Sequence, residues 1–424
     1  MGIPLPKPCL TELQERYGSE IFRCGSSCVN GYRESMEDAH LVYMQKNWGF
    51  FGVFDGHVND QCSLYLEGAW HAALEKEKDK IPISDSRLKE IALKVDQDWM
   101  DTGREGGSTG TFFIALKEGN TVSLQVGNVG DSRVIACING KCHPMTEDHK
   151  PNNEKERIRI EECGGRVEAN RVDGSLAVSR AFGDKDYKTN TAGGQLEQKV
   201  IALADVTHTE VTFGSDDFAV LCCDGVFESN FENEEVIEFI KNALQTKSDL
   251  SEIAGDVCRE AIERGSRDNI SCVIVQFKPG MDYASLPTPL TVVPGPFAAP
   301  KNANFRKVYQ LMAERGKRTV GDLLEERYDT LAAMAKRNDE EEEEFKFFSE
   351  ASAPPAKGTE GRTKWFKDLF EGLSTATTAQ NDQMERFEYL QQRMGLPVSL
   401  LMSLMNESQT RGTELKGRGK KKND

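Results

Sequence analysis

The chain has no apolar run approaching the roughly 18 residues that a membrane-spanning helix needs. It also lacks a basic excess: 53 Lys and Arg stand against 69 Asp and Glu, a formal charge of −16. A phosphate backbone needs a basic face, so a general nucleic-acid coat is excluded and no specific nucleic-acid partner is expected. Histidine is scarce, at six residues. The eleven cysteines, scattered from Cys9 to Cys272, form no frame. Cys24 and Cys28, and Cys222 beside Cys223, are the only close pairs. A zinc site wants two such pairs, or one pair with spaced histidines. The cysteines therefore read as reduced thiols used as small core residues, in the cytoplasm or the nucleus. The opening MGIPLP carries no apolar signal region, so a chain that is not secreted is expected. No internal repeat is found.

What is present divides in two. At roughly 150 residues per domain, 424 residues suggest two or three units. Up to about residue 278 the sequence is a series of short apolar runs punctuated by Gly, Asn and Asp. Runs at 109–116, 121–126 and 133–138, the last followed by Asn139-Gly140, predict an antiparallel meander. Further strands are expected at 49–54, 218–223 and 270–277. Helical periodicity appears at 62–77, 85–100, 154–163, 232–244 and 250–264. Strands in runs with helices between them predict an α+β sandwich, sheets inside and helices outside. The expected divisions are an N-terminal segment 1–20, a catalytic-looking domain 21–280, a Pro-rich linker 281–304, a helical extension 305–410 with an acidic run at 339–344, and a basic tail 411–424.

The carboxylates sit where a cation site would want them. Asp55 in GVFDGH (52–57) and Asp224 in LCCDG (221–225) each end an apolar run beside a Gly. Asp131 lies at a turn between two strands, Asp268 precedes the last β run, and Glu37-Asp38 precede the run 39–44. A strand end beside Gly lets a carboxylate project into a cleft while backbone comes close to a ligand. A single such acid is an ordinary turn residue or N-cap; five in one domain argue for a shared site. Clustered carboxylates are hard oxygen ligands that select Mg²⁺ or Mn²⁺ over zinc or copper. Two such ions roughly 3.5–4 Å apart can share a carboxylate and a water, lower the pKa of that water and neutralise phosphoryl charge. Arg33, close to Glu37 in sequence, suits phosphate oxygens. His57, two residues after Asp55, suits protonation of a leaving oxygen.

The segment GYRESMEDAH (31–40) resembles the opening motif of the metal-dependent protein phosphatases of type 2C, which act on phosphoserine and phosphothreonine. Further matches follow in family order: 53–57, GST (107–109), GNVGDSR (127–133), DHKP (148–151), SLAVSRAFGD (175–184), 221–225 and SRDNIS (266–271). The resemblance covers about residues 21 to 277. It implies a four-layer α-β-β-α sandwich of antiparallel sheets, with an α-helical C-terminal extension beyond it. It implies two ions, with Asp55 bridging both, Glu37 and the Gly56 carbonyl completing one site, and Asp224 and Asp268 holding the other. Asp38 would orient a metal-bound water, Arg33 would bind phosphate, and His57 would act as the general acid. Water would attack phosphorus directly, with no phosphoenzyme. Asp131 matches a position tied to a third, weaker ion, and Glu228 stands where the family has Asp. Residues 148–199 would form a flap beside the cleft. Phosphorylated proteins would be the substrates, acted on by a monomer. Val58-Asn59 replace common glycines and predict a stiffer loop.

Rival chemistries fit poorly. GGSTG (106–110) has the letters of a serine-hydrolase elbow, but a polar stretch precedes it and a β run follows. Cys28 and Arg33 are one residue too close for a cysteine phosphatase, and no kinase signature is present. In the tail, Phe366, Leu369, Phe370 and Leu373 make one apolar face, either packed on the rest of the chain or open to a protein partner. The acidic run reads as solvated, and 416–422 either as a nuclear-localisation or anionic-surface patch or as a solubilising disordered end. Gly2 permits N-myristoylation, the one route to a membrane, although Pro6 stands where Ser or Thr is preferred.

Overall fold

The computed structural model describes residues 4–350 and 353–376. Two antiparallel sheets lie face to face. The seven-stranded sheet runs, in spatial order, Lys141–Pro144, Arg133–Ile138, Phe218–Cys222, Ile270–Gln276, Arg23–Gly31, Cys9–Gly18 and Leu290–Val293. The five-stranded sheet runs Asp205–Thr212, Thr121–Val129, Gly110–Glu118, Trp48–Phe54 and Ala39–Met44.

Side chains leave a strand on alternating faces, and here both faces are covered. From Trp48–Phe54, Phe51 and Val53 enter the core between the sheets. Phe50 and Phe54 meet the helices Gln61–Glu77 and Asp85–Asp101. In the other sheet, Leu221, Val273 and Val275 point inward. Val220, Cys222, Cys272 and Ile274 meet the helices Asn233–Ala243 and Leu250–Glu263. Strands buried on both faces read as continuous apolar runs, which is why periodicity found them. The helices bury one stripe each, such as Leu66, Trp70 and Leu74 at four-residue spacing. The predicted α-β-β-α sandwich follows from this alternation. All eleven cysteines are free thiols, nine of them buried.

The extension is a second core rather than a loose tail. Helices Ala303–Arg315, Val320–Ala333, Asp339–Glu350 and Arg362–Ala376 pack around Phe297, Phe305, Tyr309, Leu324 and Phe348. Phe366 and Phe370, half of the predicted apolar face, are buried in this core, so that face is filled from within the chain. Gly2, the tail 411–424 and the stretch 377–410 of the predicted extension lie outside the described residues. Among the described residues no helix is long and apolar enough to cross a membrane.

Three expectations need correction. The segment 1–20 contributes the strand Cys9–Gly18 to the seven-stranded sheet. Its inward residues include Thr11, Glu12 and Gln14, so no apolar alternation marks it. The linker 281–304 contributes Leu290–Val293, paired to that strand, and buries Phe297. The acidic run is not simply solvated. It opens the Asp339–Glu350 helix, and Glu344 is buried against Arg327, Nη2 to Oε2 2.7 Å. The same carboxylate accepts the Phe297 backbone N–H at 2.7 Å.

Removing one partner of a buried ion pair leaves an uncompensated charge. Arg327→Leu is therefore expected to destabilise the lobe by about 3–5 kcal/mol. Adding Glu344→Leu to the same chain should recover part of that, the rest being kept by the Phe297 N–H left without its acceptor. Urea unfolding of the full chain reads both, and equal stability of Arg327→Leu and wild type would refute the role given to the pair.

Candidate metal centre

The site forms where several strands end together. Register places them there: Cys222 pairs with Cys272, and Ile270 with Val29. The loops after Phe218–Cys222, before Ile270–Gln276 and after Arg23–Gly31 are thereby neighbours. Trp48–Phe54 brings Asp55 to the same end from the opposite sheet.

Asn269 ties the loop before Ile270–Gln276 to the loop after Arg23–Gly31. Its Nδ2 donates to the carbonyls of Asn30 at 2.8 Å and Ser35 at 2.9 Å, and its Oδ1 accepts the Glu37 N–H at 2.9 Å. The Asp55 carbonyl accepts the Thr109 N–H at 2.9 Å and the Ser108 hydroxyl at 3.0 Å. Gly56 is required by space, since a Cβ there would lie 2.3 Å from the Glu37 carbonyl oxygen.

Two groups of potential ligands result. Asp38, Asp55 and Cys223 present one ligand atom each within 4.8 Å of one another. Asp224, Glu228 and Asp268 do the same. The charges of the second group reach Asp55 in the first. Burial, then the charges of Asp224, Asp38 and Asp268, push the Asp55 carboxyl well above its usual range. Burial, then Asp131, Glu228 and Asp268, do the same to Asp224. Asp38 is pushed up to about 7, chiefly by burial, with the Ser271 hydroxyl at 2.7 Å opposing the shift. Facing carboxylates short of countercharge, five oxygen donors to one sulfur, fit hard divalent cations. Burial raises the Cys223 thiol as well, which keeps it protonated.

Glu37 stands outside both groups; its Oε1 accepts the Ser35 hydroxyl at 2.8 Å. Its charge, with that of Asp55, reaches the Arg33 guanidinium. Arg33 is half exposed and ion-paired to Asp268. Asp131 is buried and engaged by the Lys150 ammonium. Any cation at Asp131 and Glu228 must compete with Lys150.

His57 is half-buried, and its Nε2 lies 2.7 and 2.9 Å from the carboxylate oxygens of Asp184. Burial alone would lower the imidazole pKa; Asp184 outweighs it and raises the value above the ordinary one. The two groups touch only because residue 107 is Gly, where a Cβ would lie 2.4 Å from Asp184 Oδ2 and 2.5 Å from His57 Nε2. Val58 is exposed with φ of +74°, a left-handed conformation that is strained for a β-branched residue. Sequence reasoning found the carboxylates, Arg33 and His57. It assigned nothing to Asn269, Ser271, Lys150 or Asp184, although each lies inside a segment it had singled out.

The family model described as Protein phosphatase 2C matches residues 22–270. Human Protein phosphatase 1A is 32% identical over 297 residues, covering 65% of this chain and 76% of that one. Mouse Protein phosphatase 1B is 36% identical over 301 residues, with coverage of 65% and 76%. The crystal structure of a phosphatase from Toxoplasma gondii superposes with a TM-score of 0.59 at 26% identity, covering 66% of this chain and 98% of that one.

A cation that binds only the folded chain stabilises it, by about 2.7 kcal/mol at a hundred times its Kd. Mn²⁺ should therefore raise the melting temperature, and excess EDTA should reverse the rise. Asp55→Asn removes a repelled charge, so in EDTA it should melt above wild type. It should also respond little to Mn²⁺. An EDTA melting point below wild type would contradict the repulsion argument.

Proposed function

The chain belongs to the protein phosphatase 2C family of metal-dependent protein serine/threonine phosphatases, and from that membership we propose that it hydrolyses phosphoserine and phosphothreonine in proteins by direct attack of water, with two Mg²⁺ or Mn²⁺ ions. The observation that carries this reading is the gathering of Asp38, Asp55, Asp224, Glu228 and Asp268 at one end of the sandwich, close enough for Asp224 and Asp268 to act on Asp55. Asp55 would be shared between the ions, Glu37 and the Gly56 carbonyl would serve one, and Asp224 and Asp268 the other. The ions, when bound, supply a lowered water pKa and charge neutralisation at the phosphoryl group. A third, at Asp131 and Glu228, would be weak because Lys150 already neutralises Asp131.

The chain's own side chains account for the rest. Arg33 has one guanidinium edge on Asp268 and remains half exposed, so its other donors can take phosphate oxygens. Asp38, held by Ser271, can orient the attacking water and accept its proton. His57 acts on the leaving group. Its Nε2–H is held by Asp184, so the imidazolium proton on Nδ1 is the one available to the departing serine or threonine oxygen. The new O–P bond forms from water as the ester P–O bond breaks, and the His57 proton ends on the alcohol. Eleven free thiols support action in the cytoplasm or nucleus.

Phosphate release from an aryl phosphate and from a phosphothreonine peptide, with Mn²⁺ and then with excess EDTA, tests the reading. Wild type should need Mn²⁺, and Asp55→Ala should lose turnover with the fold retained. Near wild-type rate in Asp55→Ala, or in EDTA, would refute it.

His57→Ala should cost roughly 10²-fold or more on the phosphopeptide and much less on the aryl phosphate, whose leaving group needs no proton. The wild-type phosphopeptide rate should fall as pH rises through the raised His57 pKa. Asp184→Asn removes the group that raises it, so the fall should move to lower pH. Equal losses on both substrates, or an unmoved pH profile, would exclude His57 as the acid.

A further inference from the structure

The helical lobe lies beyond the matched residues 22–270, yet it touches the segment that carries Glu37 and Asp38. Arg315 ends the Ala303–Arg315 helix. Its Nη2 donates to the Met36 carbonyl at 2.6 Å and to Asp60 Oδ2 at 3.1 Å, and its Nη1 reaches the Asp38 carbonyl at 3.5 Å. The carbonyl between them, that of Glu37, accepts the Ser63 hydroxyl. Three consecutive carbonyls are thus held, two by one guanidinium. The Met36 side chain, 1% exposed, belongs to the core of the lobe with Phe305 and Met312. At the other end of the same helix, Asn304 Nδ2 donates to Glu34 Oε1 at 2.5 Å.

Asp60 belongs to the second loop of the centre. It immediately precedes the Gln61–Glu77 helix and follows Asp55, Gly56 and His57. One planar fork therefore joins the 33–38 loop to the 56–60 loop. A guanidinium suits this geometry because its donors are fixed in one plane, whereas an ammonium is a single point charge.

We propose that Arg315 is a positioning residue for the metal centre, through which the C-terminal lobe sets the affinity of that centre for its cation. The inference rests on the metal reading given above. Groups that orient ligands without touching the ion commonly change affinity by 10–100-fold.

Calorimetric titration of Mn²⁺ into the full chain is the test, with melting curves in EDTA and phosphatase rates at saturating Mn²⁺ measured alongside. Arg315→Met keeps the aliphatic stem and removes the fork. It should bind Mn²⁺ about 10–100-fold more weakly, with the rate largely recovered at saturating Mn²⁺. Arg315→Lys should fall between Met and wild type. A folded Arg315→Met with wild-type Mn²⁺ affinity, whatever its melting point, overturns the inference and leaves the metal reading standing. If Arg315→Met does not fold, Asp60→Asn removes the anionic partner and leaves the carbonyl contacts. It should weaken Mn²⁺ several-fold, and wild-type affinity there overturns the inference equally. A wild-type chain that binds no Mn²⁺ overturns the metal reading and this inference together.

Discussion

Asp38, Asp55, Asp224 and Asp268 are brought to one end of the sandwich, where the charge of Asp268 adds to the cost of ionising the other three, and those of Asp38 and Asp224 to the cost of ionising Asp55. Such an arrangement is unstable unless something holds the backbone in place and something positive compensates the charge. The first requirement explains the density of hydrogen bonds beneath the site. Asn269 holds three points of the 30–37 stretch through its one amide, and Ser108 and Thr109 clamp the end of the Trp48–Phe54 strand. None of these groups need meet a cation or a substrate. They make the repelling geometry the resting geometry, so that a cation finds its oxygens already placed.

The sandwich core supplies the rigid platform for this. Strands packed on both faces cannot shift by one residue without turning every side chain to the wrong layer. Register therefore carries through to the strand ends, and the pairing of Cys222 with Cys272 puts Asp224 and Asp268 side by side. The C-terminal lobe adds a brace on the side the sheets do not reach. The 33–38 loop leaves the sheet and carries Met36 away into a separate core, so its conformation depends on that core.

Much of this was legible in the letters. An apolar run ending in Asp-Gly marks a strand end and an acid together, and Asp55 and Asp224 were readable on that ground alone. Asp268 was readable as the residue before a β run. The N-terminal strand was not, because three of the four residues it buries are Thr11, Glu12 and Gln14, and buried polar residues imitate a solvated segment. Their burial makes sense only once Arg259, from a helix far along the chain, is seen paired to Glu12. The acidic run failed for the same reason: Glu344 differs from its neighbours only in having Arg327 and the Phe297 amide opposite it. Asp184 lay in a segment singled out by resemblance, yet its pairing with His57 spans 127 positions and depends on a Gly at 107. Partnerships of long sequence separation leave no local periodicity to read.

The pairing of Arg33 with Asp268, and of Lys150 with Asp131, bears on how the site would work. In the chain without cations, these two side chains are the nearest relief for the crowded carboxylates. A divalent ion on Asp268 competes for the same oxygens, and so reduces the hold of the carboxylate on the guanidinium. Under the proposed function, that is the moment at which the fork of Arg33 is needed elsewhere, on a phosphate. The same reasoning separates the two basic groups. Arg33 is half exposed at the cleft and has donors to spare, whereas Lys150 holds its carboxylate with a compact charge on a buried partner. Release on cation binding is cheaper for the first than for the second. Under the proposed function Arg33 is therefore suited to move between acid and substrate, and Lys150 to stay on Asp131 as its countercharge.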